Sequence, residues 1–134
     1  KYLALNDFDK AISLGDENQA ISYLKRGLYK AFFLQDWDSG ISDMNRAIQI
    51  DPTNKSFYMA RGYLYQYGTL LSQDKIDFKE ARANYERALK LLVKANKEKP
   101  NQPNTLNYLG FTSRKLGNFE KGDIGVIEIT SISF

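Results

Sequence analysis

At 134 residues the chain is long enough for one hydrophobic core, and its 43% hydrophobic and 13% aromatic content argues against disorder. It has no cysteine and no histidine, which removes disulfides, thiolate chemistry and the commonest general acid/base and metal ligand. The formal charge of +3 comes from basic and acidic residues that alternate along the chain, so it reads as solvated helix faces; no apolar run approaches the roughly 20 residues of a membrane-spanning helix.

A first helix is predicted over 7–14, opening at Asp7-Phe8-Asp9-Lys10-Ala11 and broken by Leu14-Gly15-Asp16-Glu17-Asn18. A second, over 17–34, carries the phrase Tyr23-Leu24-Lys25-Arg26-Gly27. A third, over 37–50, opens at Asp36-Trp37-Asp38-Ser39-Gly40 and presents Trp37, Ile41, Met44, Ala47, Ile48 and Ile50 as one apolar face. It ends at Asp51-Pro52, because the residue before proline is pushed out of the helical region.

A fourth helix, over 54–71, repeats the phrase as Tyr58-Met59-Ala60-Arg61-Gly62, with Gly62 standing 35 residues after Gly27. The residues 70–76 then read as an insertion. A fifth, over 75–98, opens at Asp77-Phe78-Lys79-Glu80-Ala81, with Phe78 standing 41 residues after Trp37, and presents Phe78, Ala81, Tyr85, Ala88, Leu89 and Leu92. It runs until Pro100 and Pro103 end it. A sixth, over 103–116, carries the echo Tyr108-Leu109-Gly110, and a short helix is predicted to open at Asn118-Phe119-Glu120-Lys121-Gly122. The last residues, 122–134, contain glycine and many β-branched residues, which favours strand or irregular structure. They read as a cap, an oligomerisation strand or an artificial end.

The recurrent Asp or Asn before an aromatic fits a helix N-cap, since its side chain can accept from the free amides of the first turn. The small residue three positions on lies on the same face, where a close helix crossing leaves no room for bulk. Arg26 and Arg61 recur with their phrase, so a repeated structural job, such as a salt bridge between helices, explains them best. A fixed period in this range is the mark of stacked helical repeats.

The order Tyr-x-x-Arg-Gly, then Asp-Trp-x-x-Gly, then Ala47 and Pro52, resembles the tetratricopeptide repeat, a pair of antiparallel helices of about 34 residues. The resemblance covers about residues 6 to 121 and implies an all-α, right-handed solenoid ending in an uncertain, strand-like tail. It divides the single domain into a partial repeat (1–19), a repeat (20–54), an extended repeat (55–102), a partial repeat (103–121) and the atypical tail (122–134). In that family the first helix of each pair lines a concave groove. The groove-facing residues it implies here are Met59, Tyr63, Gln66, Tyr67, Asn107, Phe111, Arg114 and Lys115.

Some members of the family hold a peptide carboxylate with Lys and Asn on successive first helices. The matching positions here are Leu24, Leu28, Ala60, Asn104 and Tyr108, so that clamp is not reproduced. Leu24, Leu28 and Phe32 suggest a more apolar groove, suited to an amphipathic helix or an extended peptide.

The expected function is therefore an adaptor or scaffold that binds a protein or peptide, with no enzymatic activity, cofactor, metal or membrane span. Self-association, through the unmatched ends, is the alternative from a different class. RNA binding is a weaker one, prompted by Arg82, Arg87, Lys90, Lys94, Lys97 and Lys99. The chain opens at Lys1 with no export-signal pattern, so the cytoplasm is the default expectation and an exported mature form stays open.

Overall fold

The computed structural model describes residues 2–120, all helix and connecting turn, with no strand among them. The α-helices are α1 (Tyr2–Leu14), α2 (Gln19–Phe32), α3 (Trp37–Ile50), α4 (Lys55–Tyr67), α5 (Phe78–Glu98) and α6 (Pro103–Glu120), with a 3-10 turn at Gln73–Lys75. The strand-like tail expected at 122–134 lies outside the described residues.

Local chemistry explains several of the helix ends. Asp36 accepts from the Ser39 amide at 3.2 Å, Asn54 from Ser56 at 3.0 Å and Asp77 from Glu80 at 3.0 Å, each satisfying an amide that the first turn leaves open. The helix α3 stops before Pro52, as expected. The helix α4 stops at Gly68, whose φ of +62° is in the left-handed region and where a β-carbon would stand 2.7 Å from the Ser72 carbonyl.

Two expected helix starts fall elsewhere. Asp7-Phe8 lies inside α1, because the helix already runs from Tyr2. There Asp9 pairs with Arg26 of α2 at 2.8 Å instead of capping an end. Asn118-Phe119 lies in the last turn of a continuous α6. Phe119 sits against Phe78 and Tyr85 of α5, with ring centroids 6.3 and 6.1 Å away, and this contact accompanies an α6 that runs on where a break was expected.

Each helix packs on the next in chain order, most extensively α2 on α3 and α4 on α5. Gly27 and Gly40 bring α2 and α3 together almost backbone to backbone, while Gly62 meets Asn84 and Tyr85 of α5. Ala31, Trp37, Ile41, Met44 and Leu64 form one core cluster across α2, α3 and α4, and Ala20, Ala47 and Phe57 form another. On α5, Ala81, Tyr85, Ala88 and Leu92 are fully buried. Burying each large apolar side chain contributes about 1.5–3 kcal/mol.

The Tyr-x-x-Arg-Gly phrase does the same work twice. The Arg26 guanidinium lies 5.4 Å from the Tyr23 ring centroid, and Arg61 lies 5.6 Å from that of Tyr58. Arg26 reaches Asp9 of α1 and grips Asp43 of α3 with two hydrogen bonds of 2.8 Å. Arg61 reaches Asn45 of α3 at 2.9 Å and Asn84 of α5 at 2.7 Å. Each arginine therefore ties its own helix to the one before and the one after. The hydrogen bonds to Asp43 are the main reason that the Arg26 pKa is raised further above its already high value.

The longer connection between α4 and α5 closes on the same bond as the short one between α2 and α3. The Asp36 amide donates to the Lys30 carbonyl at 2.9 Å, and the Asp77 amide donates to the Tyr65 carbonyl at 2.8 Å. The extra residues are anchored by the Leu71 amide donating to Gln35 Oε1 at 3.1 Å and by Lys75 on Asp38 at 3.4 Å. They leave Leu70 and Leu71 about three-quarters exposed.

Candidate functional site

A stripe of residues at helical spacing i, i+3, i+4 and i+7, namely Ser56, Met59, Ala60 and Tyr63, runs along one face of α4. Leu28 and Phe32 of α2, with Phe33 just after it, stand on one side of the stripe, and Tyr108 and Phe111 of α6 on the other. Together these nine residues line a cavity of about 590 Å³. That volume is in the range of cavities that bind ligands.

The walls are aliphatic and aromatic, and the only polar side-chain groups are the hydroxyls of Ser56, Tyr63 and Tyr108. Phe32 and Tyr63 lean together across α2 and α4, with centroids 6.1 Å apart. Burial pushes the Tyr63 phenol above its usual pKa. Phe33 is 72% exposed and Tyr108 38% exposed, so apolar rings stand open to solvent at this site. An opening of this composition can take apolar side chains and orient them with a few hydroxyls. Among the described residues no group of three or more Asp or Glu is placed to hold a metal ion.

Of the residues expected to face a groove, Met59, Tyr63 and Phe111 line this cavity. Tyr67, half-buried, packs on Tyr63 with centroids 4.6 Å apart and the ring planes tilted by 55°. Asn107 and Arg114 are exposed on α6 but do not line the cavity.

Gln66 and Lys115 are placed differently from the expectation, since both are only 2% exposed. Gln66 Oε1 accepts from the Tyr85 hydroxyl at 2.9 Å, between α4 and α5. Lys115 donates to the Tyr67 hydroxyl, and its ammonium lies 4.7 Å from the Tyr67 ring and 5.5 Å from that of Phe111. Lys115 thus ties α6 to α4, and the Gln66 oxygen ties α4 to α5, while Gln66 Nε2 is buried with no hydrogen-bond partner among the described residues.

Phe33 and Ser56 were not singled out from the sequence, and Ala60 and Tyr108 were considered for the site only as positions of the absent clamp. The signal for Ser56 and Ala60 was available, since they complete the helical stripe through Met59 and Tyr63. Phe33 sits beyond the end of α2, where periodicity carries no information. Leu28 and Phe32, read from the sequence as apolar groove residues, do line the cavity, whereas Leu24 packs into the core clusters. No family model, curated protein or solved structure matches the chain.

Proposed function

We propose that the chain is a tetratricopeptide-like stack of helix pairs that binds a protein or peptide segment in the groove between α2, α4 and α6. In this reading α2–α3 and α4–α5 are successive pairs, α1 is the second helix of a preceding pair, and α6 is the first helix of a following one. The parallel jobs of Arg26 and Arg61 support the pairing, as does the equivalent closure of the two connections. The observation that carries the binding function is the apolar cavity, because it is walled by α2, α4 and α6, with Phe33 directly after α2. Every first helix of a pair thus contributes, and every second helix stays out of it.

The role that follows is adaptor or scaffold, in which aromatic and aliphatic anchors of a partner enter the cavity and exclude water. A displayed peptide library tests it. The intact protein should select segments with apolar anchors, and Phe33→Asp combined with Tyr108→Asp should abolish their binding while leaving the helical signal intact. Both positions are exposed enough to accept a charge. Selected peptides that still bind the double variant would place the binding surface elsewhere.

A further inference from the structure

The helices that wall the cavity differ in charge from those that do not. The helices α2 and α4 contain no Asp or Glu, and the only one on α6 is Glu120, its last residue. The same three helices carry Lys25, Lys55 and Arg114, none of which enters an ion pair among the described residues. Lys25 stands one turn before Leu28, Lys55 one turn before Met59, and Arg114 one turn after Phe111, so each flanks a lining residue on the same helix face. The helical acids are otherwise carried by α1, α3 and α5.

We infer that the occupant of the groove is an amphipathic helix of a partner protein whose apolar stripe is bordered by Asp or Glu. This rests on the groove-binding function proposed above and adds the chemistry of the partner. The lining stripe from Ser56 to Tyr63 spans two turns, about 10 Å, which matches two turns of a partner helix laid against it. The apolar walls take that helix's anchors. The cationic ends, which no acid pairs with among the described residues, favour acidic flanks and repel basic ones.

Three labelled peptides make the test, each with the same Leu and Phe anchors at i, i+3, i+4 and i+7, and with Glu, Gln or Lys at the flanking positions. In anisotropy titrations of the intact protein at low salt, the Glu peptide should bind about tenfold tighter than the Lys peptide, with the Gln peptide between them. The gap should narrow as salt is raised. Lys25→Glu combined with Arg114→Glu, both at exposed positions, should reverse the order.

Equal affinity for all three would overturn the acidic partner while leaving the groove in place. No binding by any of the three would overturn both readings. Tighter binding of a single-stranded oligouridylate than of the Glu peptide would overturn the acidic helix in favour of a nucleic acid.

Discussion

Gly27 and Gly40 meet so closely that a β-carbon on either would stand 2.7 or 2.6 Å from the other's carbonyl oxygen. The oxygen belongs to a helix backbone, so it cannot swing aside as a side chain would. Gly27→Ala or Gly40→Ala should therefore force α2 and α3 apart and cost about 1–3 kcal/mol. Gly110 is a helical glycine too, but a β-carbon there would meet nothing within 4 Å. Gly110→Ala should be neutral or add up to about 1 kcal/mol through helix propensity alone. Urea midpoints of the three variants check the contrast, and equal midpoints would refute it.

The Arg26–Asp43 pair predicts a second contrast. Asp43 is 5% exposed and also lies 3.2 Å from Lys30. Asp43→Ala would leave Arg26 with a partly buried charge, held only by the exposed Asp9. The expected loss is about 1–3 kcal/mol, below that of a fully buried pair because Arg26 retains some solvent. Asp43→Asn should cost less, since Asn84 does the same job for Arg61 with an amide oxygen. Arg26→Lys should not be conservative, because an ammonium cannot reproduce the two-pronged grip on Asp43 together with the bond to Asp9. Thermal melts that rank Asp43→Asn below Asp43→Ala in stability would sink this account.

Leu70 and Leu71 test whether the longer connection is a stabilising element. Its anchors are the Leu71 amide on Gln35 and Lys75 on Asp38, whereas the two leucine side chains are largely exposed. Replacing both leucines by serine should leave stability within about 0.5 kcal/mol, as for most exposed positions. Gln35→Ala removes the backbone-holding contact and should raise amide exchange in the connection without moving the global midpoint. A large stability loss on the leucine change would mean that the side chains pack where the structure shows them open.

What could be read from the sequence was the repetition and its punctuation. The helix α3 was placed at 37–50 by its Asp36 cap and the Pro52 stop, and those are its bounds. The scaffold role of Arg26 and Arg61 followed from their recurrence. Local signals failed where a distant partner overrode them. Asp7-Phe8-Asp9 has the letters of a helix start, but Asp9 finds Arg26 and sits comfortably mid-helix. Gln66 and Lys115 look like surface residues on their own helices. They are buried because Tyr85 and Tyr67 supply hydroxyls from elsewhere in the fold, or at a long separation in sequence. The cavity itself joins residues of three helices, and periodicity within one helix cannot show which stripes converge.

The raised pKa values of Tyr63 and Tyr65 predict an alkaline limit to stability. Burial is the main cause at both, and at Tyr65 the nearby Arg61 cation opposes it. A phenol that is harder to ionise in the folded chain holds its proton more tightly than in the unfolded one. The unfolded phenols lose their protons near pH 10, roughly the ordinary tyrosine value. Below that pH both states are protonated, and this contribution to stability is fully present. Above it the unfolded state ionises first, so stability falls as pH rises through the folded pKa. Tyrosinate absorbance should show a late-titrating fraction that shrinks in Tyr63→Phe. The same variant should lose less stability than the parent between neutral and strongly alkaline pH. Occupation of the groove by a peptide should delay ionisation of Tyr63 further, since the phenol lines the cavity and would lose its remaining water. An unchanged tyrosinate titration at saturating peptide would show that the peptide does not cover Tyr63.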